Sequence, residues 1–302
     1  MSRTARGYLI AMVGVIIWST AGVFIGYLIT TYRMPALVLA LWRNLLVCVA
    51  LLPSLVIVDR SLLRIEAGQL RFFVFYGFIL AVFNSIWALS VQFNGAAVAT
   101  VLAYSSAGFT AILARGLFKE KLGPAKIAAI VLSLSGCVLV SNAYSPTMWT
   151  LNPLGIVTGL GSGILFAAYT LMGKETARRS LSPWTAMLYA FGFGTVFVLL
   201  FNLIPGLPGA ADSTPALWPQ LPLDGWLILA FLSAGPTLLG FGLYNTSMRY
   251  LPASIVNLLA TTEPALTAVE AYLFLNERLT PVQIVGALII LSAVAIVQLE
   301  RD

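Results

Sequence analysis

Residues 252–277 read PASIVNLLATTEPALTAVEAYLFLNE. As a helix rising 1.5 Å per residue, this apolar run is long enough to cross a hydrocarbon core about 30 Å thick. Yet it carries Glu263 and Glu270, with Pro264 directly after the first. An ionisable group at that depth costs roughly 2.5 kcal/mol or more, so each carboxylate needs a partner or a task. The run is also a second copy. A shift of 157 positions lays residues 88–124, ALSVQFNGAAVATVLAYSSAGFTAILARGLFKEKLGP, on residues 245–281 without a gap; Glu120 falls on Glu277, Leu122 on Leu279 and Pro124 on Pro281. Earlier in the chain the shift is 148, placing Trp18 on Phe166 and Pro35 on Pro183; the long linker after the seventh apolar run accounts for the difference.

Outward from this stretch, ten apolar runs of spanning length can be read: Gly7–Ile29, Ala36–Val58, Arg71–Gln92, Ala96–Leu117, Pro124–Ser141, Pro153–Met172, Pro183–Ile204, Gly225–Ser247, Pro252–Leu275 and Pro281–Leu299. Short joints such as Phe93-Asn94-Gly95 and Leu122-Gly123-Pro124 make successive helices antiparallel. The expected architecture is all-α and integral to a membrane: ten transmembrane helices as two five-helix repeats, residues 1–145 and 150–302, with an outer loop at about 205–224. Five is odd, so the second repeat is inverted, an arrangement typical of secondary transporters with a site near the midplane. Lysine and arginine set the orientation. With the N-terminus in the cytoplasm, only Arg33 and Arg278 of the 17 basic residues fall outside, and Arg43 lies within a span. Ten spans then return the C-terminus to the cytoplasm, giving a multi-pass protein of the inner (cytoplasmic) membrane.

Composition excludes several classes of function. The chain has 302 residues, 60% hydrophobic and only 9% charged, against about 25% charged in typical soluble domains. The net charge of +6 is absorbed by orientation, so nucleic acid is not an expected partner. There is no histidine, which removes its acid–base, metal and pH-sensing chemistry. Cys48 and Cys137 lie in apolar runs and read as core thiols. No cleavable leader is expected, because Gly7–Ile29 is too long for a signal core. No Walker motif is present, and nothing calls for a cofactor or a metal.

The paired endings LFKEKLGP (117–124) and LFLNERLTP (273–281), each followed by a last hydrophobic run, together with Trp18, Arg43 and Glu263-Pro264, resemble the drug/metabolite transporter superfamily, and within it the EamA family of ten-helix carriers. The resemblance covers essentially the whole chain. It implies a carrier that exports, or sometimes imports, amino acids or other small metabolites. It also implies a central cavity formed by helices one to four and six to nine, with helices five and ten peripheral.

Candidate site residues follow from depth. Glu263 and Glu270, seven apart, share a helix face with Thr267. Glu263 lies about midway through its span with no cation at its level. A carboxyl withdrawn from water favours its neutral form, so Glu263 is the candidate proton carrier or amine acceptor. A static alternative is a hydrogen bond to the Ala260 carbonyl that Pro264 frees. Glu270 and Arg43 sit at similar depth, each about 10 Å from the outer end. They are expected to pair or to line one vestibule, where Arg43 could hold a substrate carboxylate and Glu270 its amine. Trp18, Trp87 and Tyr104 could stack on or orient a substrate, or simply pack; Asn84, Asn257 and Tyr244 are further polar candidates. Trp149, Trp184, Trp218 and Trp226 read as interface anchors. Gly14, Trp18, Gly22 and Gly26 form one small-residue stripe, and Gly155, Gly159, Gly163 and Ala167 another; both read as packing surfaces. Glu120 and its repeat mate Glu277 read as structural.

The resulting expectation is a secondary transporter that exports amino acids or related amphipathic compounds by alternating access. Its partners are a small-molecule substrate, the lipid bilayer and, as candidate coupling ion, the proton. Uptake, multidrug efflux and a non-transporting scaffold or sensor are alternatives. An intramembrane enzyme fits poorly, since the chain offers neither a nucleophile–base pair nor an Asp-rich metal motif.

Overall fold

A computed structural model describes residues 2–145, 153–275 and 280–299. No strand occurs among them. The helices are α1 (Arg3–Ser19), α2 (Ala21–Tyr32), α3 (Ala36–Val58), α4 (Leu70–Tyr104), α5 (Ser106–Phe118), α6 (Pro124–Val140) and α7 (Pro153–Arg178), then α8 (Pro183–Asn202), α9 (Leu223–Leu232), α10 (Gly240–Ser247), α11 (Ala253–Ala260), α12 (Glu263–Leu275) and α13 (Pro281–Leu299). Eight segments are long and apolar enough to span a bilayer, and α6 is a shorter apolar helix. The remaining span is α11 with α12, broken in its middle.

One expected joint takes a different form. Helical residues extend from Leu70 to Tyr104 and include the expected joint at Phe93–Gly95. The chain nevertheless reverses there. Tyr76 lies against Gly173, while both Ser90 and Leu102 lie against Gly159, and Ser105 against Gly163. The first part of α4 therefore runs antiparallel to α7 and its last part runs parallel to it, so two spans are present, 67–91 and 98–118. The first span bends at Thr20 between α1 and α2, where the Thr20 hydroxyl donates back to the Ile17 carbonyl at 2.8 Å.

The breaks obey the repeat. α4 gives way to α5 at Ser105, and α11 to α12 at Thr261–Thr262; adding 157 to Tyr104 and Ser105 gives Thr261 and Thr262. Each break is lined by hydroxyls that bond the freed carbonyls: Ser105 to Leu102 at 2.5 Å, Thr261 to Leu258 at 2.6 Å, Thr262 to Leu259 at 2.8 Å. Pro236 likewise sits in a π-helical turn, Ser233–Leu239, between α9 and α10.

Packing divides the helices into groups. α1 packs on α10, α11 and α12, while α4 and α5 pack on α7 and α4 on α8. α6 and α13 form a close pair, in which a Cβ on Gly286 would stand 2.8 Å from Leu139 Cβ and 2.9 Å from the Gly136 carbonyl. Of the first glycine stripe, Gly14 meets Leu243 and Gly240 closely, but nothing lies within 4 Å of a Cβ on Gly22 or Gly26. The bend at Thr20 carries those two away from the interface.

Candidate functional site

The site gathers where the two broken helices cross. The Tyr104 hydroxyl, at the end of α4, donates to the Glu263 carboxylate at the start of α12. Just below, the Ser106 hydroxyl donates to the Asn257 side-chain carbonyl at 3.0 Å. Each contact joins the first-repeat break to the second. Because Pro264 ends the α11 ladder, Glu263 sits in the first turn of a new helix, where unpaired N–H groups favour a carboxylate. Its partner is therefore Tyr104, and no bond to the Ala260 carbonyl is formed among the described contacts.

The expected Arg43–Glu270 pair is absent: among the described residues the only ion pairs join Glu175 to Arg178 and Arg179. The helices explain this. α12 packs on α1, so Glu270 Oε1 accepts from the Ser19 hydroxyl at 2.6 Å, and the Thr267 hydroxyl donates to the Ser19 carbonyl at 3.1 Å. Arg43, on α3, instead donates through Nη2 to Asn84 Oδ1 on α4 at 3.2 Å. Equal depth gave the two residues no shared helix face.

Three atoms in these pairs have no partner among the described residues: Arg43 Nε, Asn84 Nδ2 and Glu270 Oε2. A buried polar atom without a hydrogen bond costs roughly 1–3 kcal/mol. Two of the three are donors, one belonging to the guanidinium and one to the amide bonded to it, and the third is a carboxylate acceptor. Arg43, Trp87, Glu263 and Glu270 are half-buried as residues, while the three unpartnered atoms themselves are buried.

The other candidates form a closed layer. Trp18 is wedged among Phe241, Phe166 and Tyr244, with ring centroids at 4.6, 5.7 and 5.7 Å. It is thus a packed floor, not a free stacking surface. Phe83 stacks on Phe166 at 5.3 Å beside Asn84, and Ser19 follows Trp18, so the floor links both polar pairs. Tyr244, Asn257, Thr170 and Ser106 are fully buried. Asn257 Nδ2 donates to Thr170 Oγ1 at 3.0 Å, and the Thr170 and Tyr244 hydroxyls lie 2.8 Å apart. Trp87 lies three positions after Asn84 on α4.

Ser19, Thr170, Ser106, Phe166 and Phe241 belong to the site and were not singled out by sequence. Small hydroxyl residues in apolar helices usually bond their own backbone, so nothing in the sequence marks these as different. Trp42 donates to the Leu217 carbonyl at 2.7 Å and packs with Trp218 and Trp226, on the outer-loop side. Trp184 packs on Gly242. Trp149, Glu277 and Arg278 lie outside the described residues.

The basic end of the molecule is shut. Lys174 Nζ on α7 donates to the Met248 and Leu251 carbonyls, both at 2.8 Å. Glu120 caps α11: its Oε1 accepts from the Ala253 N–H at 2.7 Å and its Oε2 from the Ser254 N–H at 3.3 Å and from the Ser254 hydroxyl. Lys126 Nζ donates to Ser254 Oγ at 3.0 Å and to the Lys121 carbonyl at 2.6 Å. These bonds join the α1–α10–α11 group to the α4–α5–α7 group.

The model of the EamA-like transporter family matches residues 5–142 and 153–299. The threonine/homoserine exporter RhtA of Escherichia coli K12 is 30% identical over 241 residues, covering 76% of this chain and 72% of its own length. An uncharacterized transporter of Synechocystis is 30% identical over 227 residues; the match covers 74% of this chain and just under two-thirds, 65%, of that protein. An uncharacterized transporter of Archaeoglobus fulgidus is 28% identical over 221 residues, covering 72% of this chain and 74% of its own. One crystal structure superposes with a TM-score of 0.79 over 98% of both chains at 16% identity, a likeness of fold.

Proposed function

The chain belongs to the EamA-like transporter family, and from that premise we propose that it exports zwitterionic amino acids or close amphipathic relatives by alternating access. The observation that carries this reading is the set of orphaned atoms. Arg43 Nε and Asn84 Nδ2 offer donors to a carboxylate, while Glu270 Oε2 offers an acceptor to an ammonium. Charge-assisted hydrogen bonds of this kind are about twice as strong as neutral ones. The similarity to a threonine/homoserine exporter supports the same substrate class.

In this reading the basic end faces the cytoplasm, as do both termini, following the lysine and arginine bias. The structure is then the state closed toward the cytoplasm, with the site reached from outside. Glu263 is the proton-carrying group, and Tyr104 is the partner it keeps or releases as its protonation changes. Substrate would bind from the cytoplasm in the opposite state and be released in this one.

A thermal-shift screen of purified protein tests the binding step. Amino acids should raise the melting temperature, and the matched methyl esters and decarboxylated amines should not. Equal stabilisation by amine and amino acid would remove the Arg43 role, and no response to any amino acid would remove the substrate class.

A further inference from the structure

We propose that the basic end carries a binding site for the phosphate headgroup of an anionic phospholipid, built from Arg115, Lys119 and Lys121. Lys119 adopts a left-handed backbone, φ 57°, and its N–H closes α5 on the Ala114 carbonyl. The chain turns sharply there and brings Lys119 and Lys121 back beside Arg115. Together with Glu120, Leu122 and Gly123 they line a pocket of about 460 Å³.

The charge in this pocket is unspent. Among the described residues, Arg115, Lys119 and Lys121 make no side-chain hydrogen bond and no ion pair, whereas their neighbour Lys126 is held by Ser254 and the Lys121 carbonyl. Glu120 is the acid in the lining, but both its oxygens are engaged at the N-terminus of α11. The pocket therefore presents three cations to one anion of about a single negative charge.

The surface beside it points to a lipid as the source of that phosphate. Ile112 and Leu117 on α5 are 64% and 62% exposed, and Ile127 and Val131 on α6 are 49% and 57% exposed. In a bilayer these face the acyl chains, and the pocket lies at the polar rim of that apolar surface. A diacyl phosphate would place its headgroup on the cations and its chains on this surface at once. A free phosphate gains nothing from the second contact. Clusters of lysine and arginine beside a membrane span attract anionic headgroups, and here the loop fold converges them on one pocket. An occupied pocket would also brace the loop from which Glu120 caps α11.

The test compares the full chain in neutral phosphatidylcholine nanodiscs with nanodiscs containing phosphatidylglycerol. Phosphatidylglycerol should raise the melting temperature of the wild type. The R115Q/K119Q/K121Q variant should lose most of that rise, and R60Q/R64Q/R71Q, which removes equal charge from another basic stretch, should keep it. Equal loss in both variants would mean diffuse attraction and overturn the site. An unchanged rise in the first variant would overturn it as well. A rise of the same size with inorganic phosphate would overturn the lipid source. If the triple variant fails to fold, R115Q alone is compared with wild type by native mass spectrometry; fewer retained phosphatidylglycerol molecules are expected, and equal retention overturns the proposal.

Discussion

At the residue scale, the polar groups in the bundle have distinct tasks set by which helix faces which. Arg43 and Asn84 hold one another and keep donors free; Ser19 and Glu270 do so with an acceptor free. Removing one charge-assisted contact to a substrate costs about 1.5–3 kcal/mol, roughly 10- to 100-fold in affinity. R43M is therefore expected to raise the half-saturating concentration of an amino acid by at least about 10-fold, while leaving an amine without a carboxylate unaffected. Titrating thermal shift against ligand concentration checks it. E263Q keeps an acceptor for Tyr104 but cannot release a proton. It should fold normally and transport without any response to an imposed pH gradient; a retained response would remove Glu263 from coupling. The sequence exposed Glu263, Glu270 and Arg43 because an ionisable residue in an apolar run stands out by cost. It could not pair them, since depth fixes only the coordinate along the membrane normal. The partners that were chosen, Ser19 and Asn84, depend on helix rotation, which no hydropathy pattern records.

At the element scale, the span count, the repeat, the Gly14–Trp18 half of one small-residue stripe and the whole of the other could be read directly. Hydropathy and self-similarity each sum over many residues, so single exceptions do not disturb them. The breaks were half legible. Prolines stand at two of them, Pro264 and Pro236, but Thr20 and Ser105 carry no proline and bend the chain through hydroxyl bonds to local carbonyls. The turn after Val91 was legible as Asn94-Gly95, and the contacts with α7, antiparallel before it and parallel after it, agree with that joint. The glycine contacts give a quantitative test. G286A drives a Cβ into Leu139 Cβ and the Gly136 backbone, and overpacking of that kind costs typically about 1–3 kcal/mol. G26A, with nothing within 4 Å, should lie within about 0.5 kcal/mol of wild type. Thermal melts of the two variants should separate clearly.

At the scale of the whole molecule, two groups of helices are clamped together at the basic end, and the helix breaks come in repeat-related pairs. Glu120, Lys126 and Lys174 supply the clamp, all through hydrogen bonds to the α10–α11 segment, and all would have to let go for the opposite state. K174M should therefore open that end. A cysteine at Ser106, now fully buried, should gain labelling by an impermeant maleimide from the basic side, while one at Trp87 loses labelling from the other. A gain without the reciprocal loss would mean local fraying and no change of state. Inverted repeats give such a molecule two conformations of similar energy, and a carrier needs both. The decisive measurement is counterflow. Purified protein is reconstituted into vesicles preloaded with an unlabelled amino acid that stabilised it, and the entry of the labelled form is followed. Transient, saturable accumulation above the external concentration, lost in R43M, is the expected result. Uptake no greater than in protein-free vesicles, from protein shown to be folded and to bind the same amino acid, would contradict transport of that class.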